Sequence, residues 1–137
     1  MARLRLDPPP EPDVTIIGIS SHVNDYRLCW ALNRSMGLEL SRRHTDIVDS
    51  TKHGPAHYAV FDHTDPETEA RYTLVSNNSG DGRLLKDQRQ ANYFLVVDAE
   101  EAERRPDLLD RVLATEFVLT AFPLAYKDLR AGHKLLL

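Results

Sequence analysis

A single cysteine, no long apolar run and no surplus of positive charge set the first limits on this chain of 137 residues. Cys29 alone excludes an intramolecular disulfide and any thiolate-rich zinc site. No apolar stretch approaches the roughly 18 residues that a membrane span needs, and the opening MARLRLDPPPEP has no apolar secretory core. No membrane partner and a cytoplasmic location are therefore expected. Against 17 Lys plus Arg stand 21 Asp plus Glu, a formal charge of −4, so no general basic field gathers phosphates. DNA is not expected as a partner, and RNA remains only as an alternative resting on a local patch. Also missing are a Gly-x-Ser-x-Gly elbow, a phosphate-cradling loop with its lysine and a dinucleotide glycine fingerprint. No catalytic residue and no cofactor is assigned, and a catalytic role is not expected.

What is present reads as one ordinary globular domain. The chain is 42% hydrophobic and 28% charged, and at this length it can bury roughly two-thirds of its unfolded surface. Residues 1–13 form an expected N-terminal arm. Its start alternates apolar and polar residues, and Pro8, Pro9, Pro10 and Pro12 then impose an extended spacer. The domain proper is residues 14–137, organised around residues 14–38.

In that stretch Val14, Ile16, Ile17 and Ile19 surround Gly18, the pattern of a strand covered on both faces, where a glycine admits a close neighbour. Ser21 or Asn24 can cap the following helix, and Asp25 suits the positive end of its dipole. Leu28, Cys29, Leu32 and Met36 recur at three- and four-residue steps and mark the buried stripe. Arg27, Ala31 and Arg34 fall on the other side, and Tyr26 and Trp30 form an i,i+4 aromatic pair on the border. Gly37 supplies the left-handed stop.

Residues 41–55 are polar and weakly patterned, a loop with at most a short strand near Ile47 and Val48, closed by Gly54 and Pro55. Residues 57–62 and 71–76 alternate as strands and predict a hairpin with a longer connection. The NNSGDG of residues 77–82 is the strongest turn signal in the chain, and a further strand covers 93–97. Residues 98–115 read as a second helix with a core face of Leu108, Leu109, Val112 and Leu113. Pro106 makes the packed helix start there, with the acidic stretch before it a loose turn. Residues 117–122 are the last strand, ended by Pro123, and the tail closes on Leu135, Leu136 and Leu137. The order β-α-β-β-β-α-β predicts an α+β two-layer sandwich. Its mostly antiparallel sheet has about five strands, with two helices on one face, a variant of the ferredoxin-like plan.

Two polar groups are candidates for binding a ligand or partner. His22, Asn24, Asp25, Tyr26 and Arg27, with Trp30 a turn later, cluster where the first strand becomes the first helix, and free helix-start amides attract anions. Asp87, Gln90, Asn92 and Tyr93 form the second group, at the start of a strand. Capping explains the first and turn-anchoring the second without any ligand. His53, His57 and His63 with Asp62 suggest zinc, yet Gly54 and Pro55 break the helix that the His53–His57 spacing would need, so no metal is expected. Arg42, Arg43, Arg83 and Arg89 could form a basic patch, with Tyr58, Tyr72 or Phe94 as stacking faces for RNA.

The segments IIGISSHVNDYRLCWALNRSMGL, YTLVSNNSGDGRLL, LKDQRQANYFLVV and FVLTAF together resemble the small bacterial IPExxxVDY family across about residues 14–122. The naming motif falls on Leu85, Lys86, Asp87, three residues, then Ala91, Asn92 and Tyr93, of which Tyr93 alone matches literally. The resemblance implies no activity, cofactor or catalytic residue. It does imply a setting near genes that include an RNA-processing nuclease. The expected role is a non-enzymatic interaction or regulatory module that docks on a protein partner or forms a homo-oligomer. The alternatives are an accessory RNA-binding protein acting with an RNA-processing enzyme, and a small enzyme or anion-binding protein using the first helix N-terminus.

Overall fold

A computed structural model describes residues 12–80 and 82–137. The expected arm, residues 1–13, lies outside them except for Pro12 and Asp13. The elements, in chain order, begin with strand β1 (Val14–Ser20), helix α1 (Asp25–Met36), β2 (Ser41–Arg42), β3 (Ile47–Thr51) and β4 (Gly54–Tyr58). They continue with β5 (Val60–Thr64), β6 (Arg71–Ser76), β7 (Asn78–Ser79), β8 (Gly82–Arg83) and β9 (Tyr93–Asp98). Helices α2 (Ala99–Arg104) and α3 (Leu108–Leu113), strand β10 (Thr120–Leu124) and two 3-10 turns, Tyr126–Asp128 and Gly132–Leu136, complete the chain.

The main sheet has six strands in the order β10-β1-β9-β6-β5-β2, and every described pairing is antiparallel. Within it β10, β1, β9 and β6 reproduce the four-strand ferredoxin-like order, and β5 with the two-residue β2 extends one edge. Alternation along the strands sends Ile17 and Ile19 of β1, Tyr72 and Leu74 of β6, and Leu95 and Val97 of β9 to one face, where Leu28, Leu32, Leu108 and Val112 of the helices meet them. The α+β two-layer reading is therefore correct. The opposite face carries Ile16, Val60, Val75, Phe94 and Val96, and it is not left to solvent. The β3–β4 hairpin brings Ile47 and Tyr58 over it, Leu84 and Leu85 follow, and the C-terminal turns add Leu129 and Leu135. Double cover explains why the strands read as nearly continuous apolar runs.

The expected loop over 41–55 is the first correction, because a two-stranded hairpin, β3–β4, occupies most of it. Its turn is Lys52-His53, between the paired Thr51 and Gly54, and Thr51 shapes it: its Oγ1 donates to the Gly54 carbonyl at 2.7 Å and accepts from the His53 amide at 3.2 Å. The expected 57–62 strand alternates correctly but changes partners at Ala59, pairing with β3 before it and with β6 after it.

The second helix is two short helices, broken before Pro106. The acidic residues 99–104 form α2 rather than a loose turn, held by Arg104 on Glu100 and Glu101. The last strand starts later and continues through Pro123, which is tolerated because β10 is an edge strand. Ala31 faces the core at 3% exposure, since the buried stripe of α1 is wider than its four apolar markers. In the tail Leu135 is buried, while Leu136 and Leu137 remain exposed.

Gly18 behaves as expected: the Phe122 ring of the neighbouring edge strand lies where a Cβ would sit. Asn77 was not anticipated as an interior residue. It is fully buried at the end of β6, its Oδ1 accepts from the Leu85 amide at 2.8 Å, and its Nδ2 donates to the Gln88 and Ala91 carbonyls at 3.0 and 2.8 Å.

Candidate functional site

The two polar groups meet, and they are built into each other. Asn92 Oδ1 accepts from the Ser21 amide at 2.9 Å, and the Asn92 amide donates to the Ile19 carbonyl at 2.8 Å. The buried Tyr93 hydroxyl donates to the Val23 carbonyl at 2.7 Å. Ser21, itself buried, donates from its hydroxyl to the Phe117 carbonyl at 2.7 Å. The loop between β1 and α1 is thus fixed by partners 70 to 96 residues away in sequence.

The Tyr26 and Arg27 amides at the helix start are also occupied. Asn24 is the N-cap, its Oδ1 accepting from the Arg27 amide at 3.0 Å, and Asp25 Oδ1 accepts from the Tyr26 amide at 2.8 Å. His22 is exposed beside them. Asp87 and Gln90 do not join the cluster and lie solvated on the turn that precedes β9. Of the ten candidates, Asn24, Asp25, Asn92 and Tyr93 therefore hold backbone.

Tyr93 and Tyr72 supply a pH test of this burial. Burial first, then the nearby Asp25 charge, pushes the Tyr93 phenol up to about 12. Tyr72 also reaches about 12, raised by burial and by its 2.6 Å hydrogen bond to Glu101 against the opposing pull of Arg105. The folded state keeps two protons that the unfolded chain releases near pH 10, so this stability is present below pH 10 and lost as pH rises towards 12. Thermal unfolding temperature should fall steeply between those values, and less steeply in a Tyr72→Phe, Tyr93→Phe double variant. Equal slopes would contradict the burial of these phenols.

What remains open to solvent is the outer side of α1. Tyr26 and Trp30 are 58% and 49% exposed, although Leu28 and Leu32 on the same helix are completely buried. Tyr26 does not pair with Trp30 as expected; its ring meets the edge of Phe61 at 5.6 Å. The Arg27 guanidinium lies 4.7 Å from the centroid of Phe117, and that of Arg34 lies 5.0 Å from the centroid of Trp30. Phe117 has a φ of +73°, strained for a bulky side chain, in the turn between α3 and β10. Tyr26, Arg27, Trp30, Glu116 and Phe117 line a shallow depression of about 400 Å³. A second depression, of about 370 Å³, continues past Trp30 to Arg34 and Ser35.

No family model matches the chain, and neither a curated protein nor a solved structure matches it. Sequence reasoning found Tyr26, Arg27 and Trp30 and missed Glu116 and Phe117; reading residues 117–122 as a strand places Phe117 in the sheet and gives Glu116 no role.

The other chemistries find no assembled site. Among the described residues no three metal-ligating side chains converge. His53 sits on the hairpin turn and His57 on β4, whereas His63 Nδ1 accepts from the Glu39 amide at 3.1 Å. Cys29 is buried, its thiol donates to the Leu40 carbonyl at 3.4 Å, and burial with the Asp25 charge pushes it up to about 11 despite a hydrogen bond from Asn33. It packs as a small protonated hydrophobe at neutral pH. Tyr58, Tyr72 and Phe94 are buried, so none offers a stacking face for RNA. Arg42 and Arg43 are paired with Asp46 and Asp62 at 3.0 and 2.7 Å. No helix among the described residues is long and apolar enough to cross a membrane.

Proposed function

We propose that this protein is a non-enzymatic interaction or regulatory module that docks through the outer side of α1 and the adjoining turn at Phe117. The observation that carries this reading is the half-exposed Trp30 beside Tyr26 and Phe117, on a helix whose inner side is completely buried. Large aromatics with arginine stacked on them are the residue types that anchor interfaces. The polar corner supports the same reading from the other side, because its hydrogen bonds go to the protein's own backbone. In this proposal the protein works in the cytoplasm and stands beside the IPExxxVDY proteins it resembles, with docking rather than catalysis as its role.

Trp30→Ala tests the reading. The substitution should leave folding stability within about 1 kcal/mol, as for a surface site. The intact protein should retain a lysate component or a self-associated mass that the variant loses. Identical capture and identical mass for the two proteins would contradict the proposal.

A further inference from the structure

We infer that His63 is a pH-sensitive latch on the connection between α1 and β2, holding that connection through the Glu39 amide when neutral and releasing the amide when protonated. His63 lies on β5 opposite Tyr72 of β6, whose ring belongs to the sheet face that the helices cover. The His63 ring is half-buried, 6.0 Å from that of Tyr72, and its Nδ1 accepts from the Glu39 amide at 3.1 Å. An imidazole accepts only at the nitrogen that carries no proton, so this bond selects the neutral form with its hydrogen on Nε2. Protonation makes both ring nitrogens donors, and the Glu39 amide then loses its acceptor. Imidazole is the side chain whose ordinary charge change falls between about pH 5 and 8.

The flanking residues confine the change to one amide. Leu38 and Leu40, on either side of Glu39, are buried, and their amides donate to the Asn33 carbonyl at 3.1 Å and to Asn33 Oδ1 at 2.9 Å. Neither acceptor titrates, so those two bonds persist where the Glu39 bond does not. The charges around the ring let it become protonated without unfolding the domain. Glu39 carries one carboxylate on the connection itself, and Asp65 carries another in the turn after β5. The Asp65 carboxylate is held below its usual range first by the Glu67 and Thr68 amides and also by the nearby His63. From α2, Glu101 brings a further acidic charge to Tyr72, against the opposing Arg104 and Arg105. Arg71 of β6 is the next basic neighbour, opposite Thr64. A protonated His63 thus exchanges a backbone amide for a carboxylate, and the ring has a partner in both states.

Nuclear magnetic resonance of the nitrogen-labelled protein between about pH 8 and pH 5 tests the latch. At the upper end the His63 ring should carry its proton on Nε2, with Nδ1 bare. On acidification the Glu39 amide resonance should move with the same midpoint as the His63 ring nitrogens. Its protection from hydrogen exchange, referred to the unstructured rate at each pH, should fall about tenfold, while the Leu38 and Leu40 amides keep theirs. His63→Gln supplies a side-chain carbonyl that can accept the same bond and does not titrate, so its Glu39 amide should be insensitive to pH over this range. Glu39 protection that is unchanged in the wild type while His63 titrates would overturn the inference. So would a His63 ring protonated on Nδ1 at the upper pH, or a folded His63→Gln protein whose Glu39 amide still follows pH. Equal losses at Leu38, Glu39 and Leu40 would overturn it as well, because they would mark a general loosening and not a latch.

Discussion

Replacing Asn77 by alanine is expected to destabilise the protein by about 3–5 kcal/mol. The side chain is fully buried and makes three hydrogen bonds, one accepted from Leu85 and two donated to Gln88 and Ala91. Its backbone makes two more, donating to the Asn92 carbonyl at 2.9 Å and accepting from the Leu84 amide at 2.9 Å. Truncation leaves the Leu85 amide and two carbonyls without that partner, in a place where water enters only by disturbing the packing. The consequence extends to the corner, because residues 84–92 form the segment that carries Asn92 to Ser21. Asn77→Asp should do little better, since it keeps the acceptor but loses both donors and buries a charge. Urea unfolding measures the loss. A change under about 1 kcal/mol would show that the 77–92 segment is not held through this side chain.

The second large effect is expected from Phe94→Ala, at about 3–5 kcal/mol. Phe94 lies on the central strand β9, completely buried on the sheet face opposite the helices, among Tyr58, Leu84 and Leu85. The substitution also separates two accounts of the sheet. A stacking face for RNA would be exposed, and its truncation would reduce binding with little effect on stability. A core residue loses stability through the cavity it leaves, and calorimetry or urea unfolding of the variant reads that loss directly.

Much of the fold was legible because local signals agreed with one another. The β-branched run of β1, the three- and four-residue steps of α1, the Asn24 cap and the Gly37 stop, at φ +67°, all point to one strand followed by one helix. The β3–β4 hairpin was missed for a definable reason. Its exposed residues, Val48, Ser50, Pro55 and His57, mix apolar and polar, and a threonine side chain, not an Asn-Gly pair, makes the turn, so residues 41–55 resemble loop. The apolar run of β1 pointed to cover on both faces, but the element that supplies the second cover was missed with the hairpin. Pro106 and Pro123 misled in opposite directions. Helix forms on both sides of the first, and the second is admitted by an edge position that only the strand order reveals.

The candidate site was legible in composition but not in use. Asn92 and Tyr93 were identified as polar residues at a strand start, and their partners, Ser21 and Val23, lie about 70 residues earlier. Spacing along the chain cannot show such a pairing. Phe117 joins the proposed docking surface only because its turn returns over the start of α1, with the Leu119 amide donating to the Ser20 carbonyl at 2.9 Å.

One corner of the molecule thus contains residues that hold it together and residues proposed to face a partner. Thermal unfolding and association, measured side by side for Asn92→Ala and Trp30→Ala, test that division directly. Loss of the Asn92 side chain should cost about 1–2 kcal/mol and lower the unfolding temperature by roughly 3–8 °C, while association of the folded protein is unchanged. Loss of Trp30 should leave the unfolding temperature within about 3 °C and abolish association. The account would be contradicted if folded Asn92→Ala loses association while Trp30→Ala retains it.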